Sequence, residues 1–202
     1  MGIVLHIETV PLPERLLWDP PLTDEEFEAF ALSNDFLQLE RTKDGEILVS
    51  PGTGDDTGSA NAEINKQLGI WWDTHERGRV YDSSTSFFLP DGSNYSPDAA
   101  YVLPEKLGPR SGRGAKMARH CPDFVIELLS SSDRLRKAQA KMDDWIANGA
   151  ALAWLVDPYQ RQVTVYAPGQ APRVVSAEWV EGSGPVEGFT LNLAKVWRFY
   201  ET

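Results

Sequence analysis

The stretch "PDFVIELL", residues 122–129, decides how this chain is read. Six of its eight residues are apolar or proline. Phe124, Val125 and Ile126 are aromatic or β-branched, the types that fit a pleated, buried surface. The segment is therefore expected to be a short buried strand. Glu127 sits inside it, between Ile126 and Leu128. An ionised carboxylate in dry surroundings is costly unless it finds a partner. That partner has to come from elsewhere in the chain.

Downstream, "SSSD" (130–133) is expected to cap a helix over 134–148. Leu135, Ala138, Met142, Trp145 and Ile146 form its apolar stripe, and Gly149 ends it. "ALAWLVDP" (151–158) and "QVTVYAP" (162–168) read as a hairpin. Upstream, "SPDAAYVL" (96–103) reads as another strand, with Asp98 after its proline. A helix is expected over about 57–76 from the stripe Ala60, Ile64, Leu68 and Trp71, closed by Gly78. Strands are expected near 79–82 and 85–89. "FLQLERTKDGEILVS" (36–50) reads as a hairpin turning at Asp44-Gly45. Residues 22–32 read as a short helix capped by Thr23, and 1–22 as a proline-rich surface arm. The pattern predicts one α/β domain over 1–202, a central mixed sheet flanked by helices.

Composition excludes several classes. Cys121 is the only cysteine, so neither an intrachain disulfide nor a Cys-rich zinc site can form. The three histidines, His6, His75 and His120, have no metal-ligand spacing. The N-terminus lacks a basic start and a long apolar core, and no run nears the roughly 20 apolar residues of a membrane span. A soluble, cytoplasmic protein is expected. The net charge of −11 argues against a protein coated in nucleic acid, but not against one local cationic patch.

Four polar residues stand against apolar backgrounds: Glu63, Asp98, Glu127 and Lys141. On a helical wheel Glu63 lies about 100° from Ile64, and Lys141 about 100° from Met142. Both can reach inward over a sheet. Two strand carboxylates with a third acid and a lysine make a hard-cation site, suited to Mg²⁺ with Mn²⁺ as a substitute. The matching chemistry is metal-assisted hydrolysis of a phosphodiester. Asp123 is a decoy. Four residues of strand separate it from Glu127 by about 13 Å, too far to share a metal. It is expected to pair with the backbone or a nearby base.

"SPDAAYV", "PDFVIELLSSSDRLRKAQAKMDDWIANGAALAWLVDP" and "VTVYAPG" together resemble the Uma2-type restriction endonuclease family, widespread in cyanobacteria and other bacteria. That family belongs to the PD-(D/E)xK nuclease superfamily. The resemblance implies a restriction-endonuclease-like core and a Mg²⁺ site with Asp98 and Glu127 as metal ligands. It implies Glu63 as the helix acid. It also implies a DNA substrate and a homodimer, since related nucleases pair to cut both strands. The usual lysine two residues after the glutamate is Leu129 here, and Lys141 on the next helix stands in for it.

Blander readings stay open. Glu127 could be a structural acid paired with an arginine, Asp98 a turn residue, and Glu63 and Lys141 solvated flank charges. The chain could then be an inactive nuclease-fold module that binds nucleic acid or a protein partner. The loop 104–121 carries Lys106, Arg110, Arg113, Lys116 and Arg119 against the single acid Glu105. It is expected either to contact a phosphate backbone or simply to be solvated. Without metal, like-charge repulsion should make Glu127→Gln stabilising, and Lys141→Met should spare the fold.

Overall fold

The computed structural model describes residues 14–50, 52–108, 117–131 and 133–201. In chain order the strands are β1 (Arg15–Leu16), β2 (Gln38–Arg41), β3 (Ile47–Ser50), β4 (Arg79–Asp82), β5 (Phe87–Phe88), β6 (Asn94–Tyr95) and β7 (Ala99–Val102). They continue with β8 (Phe124–Leu128), β9 (Leu152–Asp157), β10 (Gln162–Tyr166), β11 (Arg173–Val175), β12 (Trp179–Glu181) and β13 (Thr190–Asn192). The helices are α1 (Asp24–Ser33), α2 (Asp55–Asp73), α3 (Leu135–Ala147) and α4 (Ala194–Trp197). Short 3-10 turns include Arg198–Tyr200. Among the described residues no helix is long and apolar enough to cross a membrane.

These elements fall into two compact units, each built from discontinuous segments. The smaller combines residues 1–52, 86–96 and 111–120. Its described part holds a five-stranded sheet ordered β1-β3-β2-β6-β5. Gly45 turns the β2–β3 hairpin at φ +82°, a conformation that favours glycine. Thr23 and Glu26 form the capping box that starts α1, and α1 buries Phe27 and Phe30. Buried Arg41 donates to the carbonyls of Leu22 and Gly92 and lies against the Phe27 and Phe88 rings. Of the expected surface arm, residues 1–13 lie outside the described residues, while β1 pairs with β3.

The larger unit carries the central mixed sheet, ordered β11-β10-β9-β8-β7-β4, beside the small β12–β13 pair. β8 is central: antiparallel to β7 and parallel to β9. Antiparallel neighbours can be joined by a tight turn, whereas parallel ones need a crossover. Here α3 is that crossover. Phe124, Ile126 and Leu128 pack with Ala60, Ile64, Leu68 and Trp71 of α2. Alternation turns Glu127 to the opposite face of the sheet, where α3 runs. β9 and β10 form the expected hairpin.

Local details differ from expectation at two places. The strand expected near 85–89 is the two-residue β5 and belongs to the smaller unit's sheet. The N-cap of α3 is Arg134, which makes no side-chain capping bond, and Ser132 of the expected "SSSD" cap lies outside the described residues. Asp133 instead accepts from the Ser130 amide and hydroxyl and closes its own turn. An aspartate competes for nearby backbone donors wherever it can.

Candidate active site

The register of β7 and β8 pairs Ala99 with Ile126. One step further sets Asp98 opposite Glu127. The strand has already bent at Asp98, and its carboxylate turns back onto β8: Oδ2 accepts from the Leu128 amide at 2.7 Å. Oδ1 accepts from Asn61 Nδ2 of α2 at 2.9 Å. Asn65, one turn on, donates to the Asp98 carbonyl at 2.9 Å and to Asn61 Oδ1 at 2.6 Å.

Glu127 finds its partners on α3. Lys141 Nζ lies 2.8 Å from Oε1 and 3.0 Å from Oε2. Trp145 Nε1 donates to Oε1 at 2.9 Å. Lys141 and Trp145 are four apart, so they stand on one helical face. The crossover lays that face over Glu127. The ion-pair partner described for Glu127 is thus a lysine, where the bland alternative named an arginine.

Glu63 takes another place. Asn61 and Glu63 are about 200° apart around α2, so they flank the buried stripe on opposite sides. The Glu63 carboxylate is bonded by Lys66, by Gln67 at 3.1 Å and by Arg198 at 3.4 Å. Gln67 in turn bonds both backbone groups of Asn192. Glu63 therefore ties α2 to the C-terminal elements and shares none of these partners with Asp98. Among the described residues no group of three or more His, Cys, Asp or Glu side chains could hold a metal ion. That leaves a pair of carboxylates. Mg²⁺ commonly takes one or two protein carboxylates and fills its shell with water. Asp98 and Glu127, at the ends of the adjacent strands β7 and β8, supply the hard oxygen donors that such an ion takes.

Asp123 pairs with the backbone and a nearby base, as expected. It accepts from the Leu103 amide at 2.8 Å and pairs with Lys106 at 2.9 Å. Lys106 also donates to the carbonyls of Cys121 and Gly149. Its three ammonium protons thus meet three acceptors within the fold. Arg119 pairs with Asp24, Glu25 and Glu28 and covers the Phe88 ring. Arg110, Arg113 and Lys116 lie outside the described residues.

Sequence reasoning passed over Asn61, Asn65 and Tyr200; Trp145, expected in the apolar stripe, is fully buried and also bonds Glu127. Thr57, Asn61 and Asn65 recur every four residues beside the apolar stripe of α2, a signal present in the sequence. Tyr200 donates its hydroxyl to Thr57 at 3.3 Å. Burial chiefly, with the Asp56 and Asp98 carboxylates adding to it, pushes the Tyr200 hydroxyl above its ordinary range.

Comparison with known proteins bears on the family and the fold. The Uma2 family model, described as "Putative restriction endonuclease", matches residues 24–194. A crystal structure of a putative nuclease belonging to DUF820, from Anabaena variabilis ATCC 29413, superposes with a TM-score of 0.76 at 21% identity. The match covers 89% of this chain and 99% of that one. No curated protein matches. At that identity the structural likeness speaks for the fold, while the family match spans most of the chain. The chain belongs to the Uma2 family of putative restriction endonucleases.

Proposed function

We propose that this protein is a metal-dependent endonuclease that hydrolyses DNA phosphodiester bonds. The observation that carries the reading is the Asp98 carboxylate bonded to the Leu128 amide, the residue after Glu127, with Lys141 at 2.8 Å from Glu127. Asp98 and Glu127 would hold a Mg²⁺ ion, which supplies Lewis-acid polarisation of the phosphoryl group and a more acidic water. Lys141 contributes a positive charge beside the same carboxylate. There it can orient the attacking water and offset negative charge developing on phosphoryl oxygens. Glu63, once grouped with these residues, is assigned to holding the C-terminal segment instead. DNA as the substrate and a pair of copies for cutting both strands are part of this reading.

Plasmid cleavage with Mg²⁺ or Mn²⁺, run beside a gel shift in Ca²⁺, tests the activity. Cleavage that disappears in both Asp98→Asn and Glu127→Gln supports the reading. One observation favours a second reading, a nuclease fold that binds without cutting: the position of the usual lysine holds the buried Leu129. Binding in Ca²⁺ with no cleavage in either activating metal would select it.

A further inference from the structure

We propose that Asn61 and Trp145 are positioning residues that hold the Asp98 and Glu127 carboxylates ready for a divalent cation. This rests on the reading of those acids as metal ligands. Asn61 is 9% exposed and Trp145 fully buried. A buried amide or indole N–H needs an acceptor, and each has found one on a different acid of the pair. Asn61 reaches Asp98 Oδ1 from α2, and Trp145 reaches Glu127 Oε1 from α3.

The direction of each bond is set by chemistry. Asn65 donates to the Asp98 backbone carbonyl, which can only accept. The same Nδ2 also faces Asn61 Oδ1. The Asn61 atom turned to Asp98 is therefore its NH₂ group. An indole nitrogen only donates. Both donors are uncharged, so they orient the carboxylates without cancelling the negative charge that attracts a cation. Lys141 cannot do that. A carboxylate offers about four lone-pair positions, so one neutral donor fixes its plane and leaves it able to bind a metal. The Leu128 amide adds a second such donor on Asp98. Helices on opposite faces of the sheet thus hold one acid each, at the same end of adjacent strands.

The test is calorimetric titration of the full chain with Mn²⁺. Asn61→Ala and Trp145→Phe should each weaken binding by about 10–100-fold, the usual effect of losing an outer-sphere partner. Asn65→Ala should weaken it in the same direction, because it frees the Asn61 amide to rotate. Thr74→Val, at the opposite end of α2, where the hydroxyl bonds only the Trp71 carbonyl and His75, should leave Mn²⁺ affinity unchanged. Circular dichroism establishes that each variant is folded at the titration temperature. A role in packing alone would lower the melting temperature and leave Mn²⁺ affinity as it was. Should Trp145→Phe fail to fold, Asn61→Ala still decides the matter from the other helix. Wild-type affinity in the folded Asn61→Ala variant overturns the inference while leaving Asp98 and Glu127 as ligands. Failure of the wild type to bind Mn²⁺, or wild-type binding by Asp98→Asn, overturns both.

Discussion

Glu127 and Lys141 change what removing either charge should do. Their side chains are 13% and 19% exposed, and they stand 2.8 Å apart. Deleting one partner of a largely buried pair leaves the other uncompensated. The stabilisation expected of Glu127→Gln from like-charge repulsion therefore gives way to a loss. Lys141→Met, expected to spare the fold, should also destabilise. Each should cost about 1–3 kcal/mol in denaturant unfolding without metal. For Lys141→Met that loss should shrink when Mn²⁺ is present, since a cation on Glu127 replaces the missing charge. Glu63 belongs to a different balance. Its partners Lys66 and Arg198 are about half exposed, so water screens the attraction. Glu63→Gln should cost about 1 kcal/mol and leave Mn²⁺ affinity unchanged. A large loss of Mn²⁺ affinity in that variant would return Glu63 to the metal site.

The described cations of the connection between β7 and β8, Lys106 and Arg119, are both paired within the fold. Lys106 is committed to Asp123 and to two carbonyls, and Arg119 to the acids of α1 and its first turn. Lys106→Met should therefore lower stability by about 1–3 kcal/mol, because buried Asp123 loses its counter-charge. It should not alter the salt dependence of DNA binding. The proposal of a phosphate contact rests on Arg110, Arg113 and Lys116, which lie outside the described residues. Replacing all three with glutamine should make log affinity against log salt shallower by about two to three units. An unchanged slope would remove this segment from the DNA surface. The crossover helix α3 shows why element identity matters here. A tight hairpin after β8 would have offered no face over Glu127, whereas the 13-residue helix α3 delivers Lys141 and Trp145 together.

Three tyrosines give the whole molecule an alkaline limit. Burial is the main cause that raises the hydroxyls of Tyr101, Tyr166 and Tyr200 above 10.0. A group whose folded pKa is raised holds its proton more tightly when folded. Its contribution is complete below the unfolded value and is lost as pH climbs through the folded one. The melting temperature should thus fall as pH rises past about 10. Absorbance should show tyrosinate forming later in the folded protein than in the unfolded chain. Replacing these three tyrosines with phenylalanine should flatten the decline. A decline of the same steepness would assign it to other groups.

Short-range order was open to reading from residues alone. The β-branched run of 124–128, the apolar stripe of α3, the Thr23 cap and the Asp44-Gly45 turn each depend on neighbours within a few positions. Their energies follow from local periodicity and backbone preference. Asp98 and Glu127 were legible for the same reason, since an unexplained charge is visible against an apolar background. What those charges meet was settled only by tertiary structure. Periodicity says that Asn61 and Glu63 both flank the apolar stripe of α2, but not which flank looks toward Asp98. The sheet's order decided it, and it sent Asn61 to Asp98 and Glu63 to Arg198. The parallel pairing of β8 and β9 likewise turned α3 from a helix somewhere in the chain into the roof of Glu127. Such partners are fixed by contacts between residues far apart in sequence, and no local pattern encodes which of several exposed-looking charges the fold will bring together.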